Sequence, residues 1–441
     1  MKLLFICVKA LVLILLLVDS WDLADCYDPL DPNGNMSITF DIFQWTPDGY
    51  LARVTIQNYY QYRHVEKPGW ALGWTWFTKE VIWSMKGAIA THQGNCSNFS
   101  SQVPYCCRKN PVIIDLTPEA PPETRTANCC RSGVLTASAI DMPNSVSFFE
   151  MIVGNLDGKP NVQMPRNLTL LAPSTGYTCS PLVDSVPTVV TVDGGQRKEQ
   201  AFKTWKSACT YSAFIANKAP GCCVSLSTFY NPSITPCPAC SCDCTTVGNV
   251  PPQCTGDGAV KPPLERFVQL SQYVGCTDHM CPVRVHWHVK SNYREQWRVK
   301  VTVSNYDFVN NYSNWNLVIQ HPSFSQSLQS FSFNSTKLLT MAGTDEAALF
   351  WGLEYYNTML LHADEKDPGS VTSDVLVNKD LESFTLSHGW AFPRRIYFNG
   401  DNCKMPMPDH FPALPNAGPR PPNLQHLLFF LILLIIHHME P

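Results

Sequence analysis

Short runs in which apolar and polar residues alternate, separated by proline, glycine and asparagine, recur along this 441-residue chain. A period of two places every second side chain on one face of a strand, and the breakers leave few windows long enough for a helix. In MSITFDIFQW, Ile38, Phe40 and Ile42 share one face, and YLARVTIQN alternates in the same way. The TPDG segment between these runs has the composition of a tight turn. The two runs therefore predict a β-hairpin.

A second alternating block lies in the C-terminal half, where CPVRVHWHVK and QWRVKVTVSN each put apolar side chains on one face. The opposite faces carry a basic row that pairing of the two strands would join into one patch: Arg284, His286, His288, Lys290, Arg298 and Lys300. Further strands are predicted over residues 80–85, 145–153, 167–171, 315–319, 330–333 and 383–386. These patterns predict an all-β fold.

The predicted organisation runs from signal to anchor. A signal peptide (1–24) precedes an N-terminal β-sandwich of the carbohydrate-binding type (25–175), followed by a Cys-rich disulfide module with the CCVS motif (176–254). A linker (255–265), a C-terminal immunoglobulin-like β-sandwich (266–403), a Pro-rich stalk (404–416) and a propeptide (417–441) complete the chain.

Apolar runs stand at both ends of the sequence. The first, residues 3–18, follows Lys2 and contains Lys9, which suits a signal peptide better than a spanning helix. The second, residues 427–436, is shorter than the roughly 20 apolar residues that a spanning helix needs. Small residues at 416–418 and a polar spacer precede it, the order of a glycosylphosphatidylinositol (GPI) attachment signal. We predict attachment at Asn416 and anchorage in the outer leaflet of the plasma membrane; an apolar terminus without a lipid is the alternative.

Nineteen cysteines in a secreted chain indicate disulfides, because the secretory pathway is oxidising. The adjacent pairs at 106–107, 129–130 and 222–223 are each predicted to tie different segments together rather than bridge to each other. If Cys26 leaves with the signal, one cysteine has no partner. The PCPACSCDC spacing also suits zinc, an Fe–S centre or a redox-active CxxC at Cys237 and Cys240, but the compartment favours disulfides.

Six N-glycosylation sequons agree with secretion: Asn35, Asn95, Asn98, Asn167, Asn311 and Asn334. The formal net charge of -4 is spread without long charge runs, so the composition gives no indication of nucleic-acid binding.

Aromatic residues concentrate between positions 45 and 83. Trp70, Trp74 and Trp76 have one parity, so a strand would place their rings on one face. Rings aligned along a flat sheet stack on the apolar faces of sugars. We therefore predict sugar binding by this segment, with an aromatic core as the alternative.

Other chemistry has little support in the sequence. His286 and His288 share a strand face and could supply two metal ligands, but no third ligand is identifiable, so a solvated basic face is favoured and no metal or cofactor is predicted. As a hypothesis, the basic row binds uronic-acid-bearing polysaccharide through charge. No GxSxG elbow or Walker loop is present, and no pair of acidic residues stands out as a glycosidase pair.

Several long segments resemble the plant COBRA and COBRA-like proteins. They include YDPLDPNGN, QWTPDGY, QYRHV, PGWALGW, CCVS followed by FYNPSI, CPVRVHWHVK and GWAFPRRIYFNGDNC. The resemblance implies a GPI-anchored extracellular protein without enzymatic activity that binds crystalline cellulose and promotes ordered deposition of its microfibrils in the plant cell wall. The sugar-contacting aromatics of that family correspond to Trp45, Tyr50 and Trp76 here, with Trp74 beside them.

Expected partners are therefore crystalline cellulose and acidic wall polysaccharide. The alternatives are a carbohydrate-active enzyme acting on wall glucans, and an adhesion or signalling protein that binds no polysaccharide.

Overall fold

The structure is a computed structural model. It describes residues 28, 30–156, 162–173, 175–192, 196–216, 221–238, 254–255, 276–277, 282–306, 311–325, 327–338, 346–361, 369–379 and 391–412. The chain forms two compact units that divide between Ala219 and Pro220. Described residues are overwhelmingly in strands and loops, which confirms the all-β prediction; short helical turns occur at Pro122–Thr124, Pro143–Ser145, Ala213–Ala216, Pro322–Ser325 and Pro408–His410.

The first unit is a sandwich of two antiparallel sheets. Its strands are β1 (Met36–Thr46), β2 (Gly49–Asn58), β3 (Ala71–Thr75), β4 (Val81–Lys86), β5 (Ala88–Ala90), β6 (Val112–Asp115), β7 (Val146–Gly154), β8 (Arg166–Leu171), β9 (Tyr177–Cys179), β10 (Val183–Ser185), β11 (Val189–Val192), β12 (Arg197–Gln200) and β13 (Lys203–Tyr211). One sheet has the order β10-β13-β1-β2-β7-β4, with β9 also paired to β13, and the other β5-β6-β3-β8. Side chains of both sheets form one buried core.

The second unit is also built around two sheets. Its strands are β14 (Cys222–Thr228), β15 (Asn231–Thr235), β16 (Cys254–Thr255), β17 (Cys276–Thr277), β18 (Val283–Asn292), β19 (Gln296–Asn305), β20 (Tyr312–Ser313), β21 (Asn316–Gln320), β22 (Leu328–Ser330), β23 (Phe333–Leu338), β24 (Ala347–Gly352), β25 (Met359–Leu360), β26 (Gly369–Asn378), β27 (Arg395–Phe398) and β28 (Asp401–Asn402). A six-stranded sheet, β15-β14-β18-β19-β26-β22, shares a core with a five-stranded sheet, β23-β24-β21-β27-β28. The β14–β18 pair is parallel.

The alternating runs form the strands that their period predicts. The β1–β2 hairpin is present, and Ile38, Phe40 and Ile42 are buried. Strands β18 and β19 pair antiparallel, with their valines and tryptophans inside. The predicted strand at 330–333 is wrong, since β22 ends at Ser330 and β23 begins at Phe333. The predicted strand at 383–386 lies outside the described residues.

The described residues of the predicted Cys-rich module (176–254) are divided between the two units and do not form a separate module. Strands β9, β10 and β13 belong to the larger sheet of the first sandwich, where β13 pairs with β1, and β11 and β12 form a separate two-stranded sheet in the same unit. The CCVS strand, β14, instead lies inside the six-stranded sheet of the second unit and is buried along its whole length. Burial on both faces requires flanking strands and a covering layer, which a small disulfide module cannot supply.

Five disulfides join described cysteines: Cys96–Cys107, Cys129–Cys130, Cys179–Cys209, Cys222–Cys403 and Cys223–Cys237. The expectation for adjacent cysteines is confirmed at 222–223, holds only for Cys107 at 106–107, and is wrong at 129–130, which bridge to each other. The backbone at Cys130 is left-handed, with φ 74°. Cys106 keeps a free, buried thiol, and burial raises the pKa of that thiol.

Candidate functional site

The row of tryptophans predicted to bind sugar faces the core. Trp70, Trp74 and Trp76 are 1%, 2% and 1% exposed. The ring of Trp74 packs edge-on against Phe40 of the opposite sheet, with centroids 5.5 Å apart, and against Trp76 at 5.4 Å. Large rings on the inner face of β3 fill the space between the two sheets, which are roughly 10 Å apart in such sandwiches. The prediction of an accessible ring face is therefore wrong for these residues, and the alternative, an aromatic core, is what the structure has.

The two aromatic residues that flank the hairpin turn differ in their exposure. Tyr50 is 1% exposed, and burial together with nearby Glu80 raises the pKa of its hydroxyl, so it is a neutral core residue. Trp45 is 45% exposed and meets Tyr50 edge-on, with centroids 6.3 Å apart. A register shift between Ile42 and Gln44 brings Trp45 opposite Tyr50 at the end of the sheet, beyond the covered core. Of the four predicted sugar-binding side chains, Trp45 alone is exposed.

Three distant segments meet at Asp48, in the turn that follows Trp45. The Asp48 carboxylate in the turn accepts hydrogen bonds from the indole N–H of Trp83 (3.2 Å) and the backbone N–H of Asn155 (2.7 Å). The Asn155 side chain donates to the Lys79 carbonyl (2.6 Å). Trp83 is half-buried and packs edge-on against Phe99, with centroids 5.6 Å apart. We call Trp45, Asp48, Trp83 and Asn155 the hairpin-end surface.

Close backbone packing fixes the hairpin-end surface. A Cβ atom added to Gly154 would lie 2.2 Å from the Trp83 indole nitrogen and 2.6 Å from an Asp48 carboxylate oxygen. A Cβ atom added to Gly49 would lie 1.8 Å from the carbonyl oxygen of Val153. Glycine at both positions lets the turn approach β7 closely enough for the Asp48 hydrogen bonds. The surface thus combines an exposed ring with a carboxylate and an amide, the groups that stack on sugar rings and bind their hydroxyls.

The predicted basic row lies on the outer face of the six-stranded sheet. His286 is held between two serines of β14: its Nδ1 is 2.6 Å from Ser225 Oγ and its Nε2 is 2.8 Å from Ser227 Oγ. Burial, and then the charges of Arg284, His288 and Lys300, lower the pKa of His286 to about 4. Burial and the neighbouring lysines also lower the pKa of His288. Both imidazoles are therefore neutral at pH 7, and the positive charge of the row comes from its lysines and arginines.

Asp374 on β26 offsets part of that charge. Its carboxylate accepts hydrogen bonds from Lys290 (3.1 Å) and from Arg298. Although burial acts to raise the pKa of Asp374, these two hydrogen bonds hold it below its usual value. Among described residues, no group of three or more His, Cys, Asp or Glu side chains is arranged to hold a metal ion.

The predicted sequons lie in the described part of the chain. Asn95, Asn98, Asn167 and Asn311 are exposed, whereas Asn35 and Asn334 are half-buried, with the Asn334 amide donating to the Gly352 carbonyl. The signal peptide, the GPI site Asn416 and the remaining PCPACSCDC cysteines after Cys237 lie outside the described residues. Within the described part, no helix has the length and apolar character needed to span a membrane.

Comparison with known proteins matches both halves of the chain to one family. Residues 50–212 match the COBRA N-terminal domain and residues 221–412 match the COBRA family C-terminal domain. COBRA-like protein 1 of Oryza sativa subsp. japonica is 50% identical over 405 residues, covering 90% of this chain and 89% of the rice protein. Protein COBRA of Arabidopsis thaliana is 47% identical over 409 residues, covering 91% and 89%. The matched domains are COBRA domains rather than enzyme families, and the chain belongs to the COBRA family.

Proposed function

We propose that this chain is a non-enzymatic, GPI-anchored extracellular protein that binds cellulose and promotes the organisation of cellulose microfibrils during plant cell-wall growth. Family membership and the secretion signals support the proposal. The observation on which it most depends is the exposed ring of Trp45, in the same hairpin as Asp48, whose carboxylate is bonded to Asn155.

The hairpin-end surface would engage a glucan through complementary contacts. The Trp45 ring would stack on the C–H face of one glucose unit. The Asp48 carboxylate, which already accepts two hydrogen bonds, has lone pairs left for a sugar hydroxyl. The buried rings of Trp74 and Trp76 act indirectly, because they fill the core on which the turn rests.

Anchorage would make such weak contacts effective. A protein held at the outer leaflet meets emerging glucan chains at a high effective concentration, so several modest contacts along a fibril add up to firm retention. Chains held parallel before they coalesce would pack in better order. On this proposal, binding rather than turnover is the function.

Retention on crystalline cellulose tests the proposal against both alternatives. The pure protein is expected to be depleted from solution by cellulose without releasing reducing sugar from cellulose or glucomannan. Sustained sugar release would indicate a carbohydrate-active enzyme. Absence of retention would leave an adhesion or signalling role.

The anchor has a separate test. If Asn416 carries a GPI lipid, phosphatidylinositol-specific phospholipase C should release the protein from intact cells, and Asn416→Gln with 417–418 also changed to bulky residues should abolish its surface display. Surface protein that resists the phospholipase and survives the substitutions would contradict GPI attachment.

A further inference from the structure

The second sandwich carries an open cavity that the cellulose proposal does not use. It has a volume of about 230 Å³ and lies on the outer face of the six-stranded sheet. Its lining consists of two lysines, an aromatic ring, three hydroxyls and one carboxylate: Lys290, Lys300, Phe331, Ser332, Thr372, Ser373 and Asp374. This volume is below the roughly 300–1,000 Å³ of sites that enclose a whole small molecule. It suits one unit of a longer chain lying across the sheet.

Strand register brings the charged groups of the cavity together. Lys300 on β19 lies directly opposite Asp374 on β26, and His288 on β18 lies opposite Lys300. Asp374 pairs with Lys290 and Arg298 instead of with Lys300. Within the described part of the chain, Lys300 makes no ion pair. Two lysines and one carboxylate give the cavity lining an excess of positive charge, and the ammonium of Lys300 is available to an anion.

The aromatic ring of the cavity is held in an exposed position. Phe331 is 58% exposed, and its centroid lies 5.6 Å from the guanidinium carbon of Arg298. The Phe331 backbone N–H donates to the Asp374 carbonyl (3.1 Å), and the next N–H, that of Ser332, donates to Ser373 Oγ (3.0 Å). The Asn357 amide donates to the Ser332 carbonyl (2.7 Å). These bonds fix the loop, so the ring is presented to solvent before any ligand binds, which reduces the ordering cost of binding.

We propose that this cavity binds a uronate unit of an anionic polysaccharide. The carboxylate pairs with Lys300, the apolar face of the sugar ring stacks on Phe331, and the sugar hydroxyls bond to Thr372 and Asp374. A simple anion would use the lysine and gain nothing from the ring, and Asp374 would repel it. A neutral sugar would use the ring and the carboxylate and leave Lys300 unpaired. The combination of all three groups favours a carboxylate-bearing sugar.

Binding by the full-length protein, purified in mild detergent, tests the assignment. An oligogalacturonide is compared with a cello-oligosaccharide and a sulfated oligosaccharide of equal length by calorimetry. The oligogalacturonide is expected to bind most tightly, and its affinity should fall as salt is raised, because the contact is partly ionic. Lys300→Gln and Phe331→Ala should each weaken it by about tenfold, a change of about 1.4 kcal/mol.

The matched control is Lys337→Gln, the same change of charge on exposed β23 of the other sheet. It should leave oligogalacturonide binding unchanged. Retention of the Lys300→Gln variant on cellulose should also be unchanged, which separates this site from the hairpin-end surface. Absence of oligogalacturonide binding at low salt, or equal binding by all variants, would overturn the assignment. Tight binding of the sulfated oligosaccharide that Phe331→Ala leaves intact would also overturn it, since it would indicate a general anion patch.

Discussion

Replacing Trp76 by alanine is expected to lower the free energy of unfolding of the first sandwich by about 3–5 kcal/mol. The ring is 1% exposed and packs edge-on against Trp74. Its removal would leave a cavity between two sheets that cannot close without moving both. Chemical denaturation measures the effect. The transition of the second unit serves as an internal reference, because a chain of two units need not unfold in one step.

Trp45→Ala is the matched control for this prediction. The same ring is removed from a position that is 45% exposed, so the free energy of unfolding should change by less than about 1 kcal/mol. Equal destabilisation by the two variants would contradict the inward orientation of β3. So would a Trp76→Ala variant as stable as the parent protein.

Asp115→Ala is expected to destabilise the first sandwich by at least about 3 kcal/mol. This buried carboxylate at the end of β6 accepts four backbone N–H bonds, from Leu116 (2.9 Å), Cys130 (3.0 Å), Arg131 (3.0 Å) and Gly133 (2.8 Å). Truncation leaves these donors without their acceptor, at about 1–3 kcal/mol for each one that stays buried. The total cost is smaller than the sum over four donors, because water can enter and the loop can relax to satisfy some of them.

The loop that Asp115 holds contains the Cys129–Cys130 disulfide and several left-handed residues. Cys130, Ser132 and Gly133 all have positive φ. In Asp115→Ala, hydrogen exchange of the amides at 130, 131 and 133 should accelerate more than exchange in β1 and β2. Asp184→Ala, which removes an exposed carboxylate, should leave both stability and exchange unchanged. A loss below about 1 kcal/mol in Asp115→Ala, with those amides still protected, would show that the loop holds its shape without the carboxylate.

The sequence was sufficient to predict which side chains share a face, but not which faces meet water. Alternation correctly placed Trp70, Trp74 and Trp76 on one face. The same period is expected for a buried face and for an exposed face, and which face is buried depends on where the opposite sheet packs. Trp45 illustrates a second limit. The shift between Ile42 and Gln44 changes the parity of β1 close to the turn, and local composition carries no sign of it.

Contacts between distant segments were the other missing information. Asp48 meets Trp83 and Asn155 across separations of 35 and 107 residues, and no motif links these positions. The only sequence signal for a role of Trp83 at this surface was its position in the aromatic-rich stretch between residues 45 and 83. The contacts of His286 with Ser225 and Ser227 likewise depend on a parallel strand, β14, that no local motif indicates. Family membership, by contrast, could be predicted from the sequence, because the segments shared with the family are long and occur in the same order along the chain.

The central claim is that cellulose is bound by the exposed hairpin-end surface and not by the tryptophan-rich strand. Depletion isotherms on crystalline cellulose, recorded for the parent protein, Trp45→Ala and Trp74→Phe, test it most directly. Trp74→Phe keeps an aromatic ring in the core, and both variants should retain the parent circular dichroism. The account predicts about a tenfold weaker affinity for Trp45→Ala, the loss of one stacking contact of about 1.4 kcal/mol, and an unchanged affinity for Trp74→Phe. Unchanged binding by Trp45→Ala, with binding lost in a folded Trp74→Phe, would contradict it.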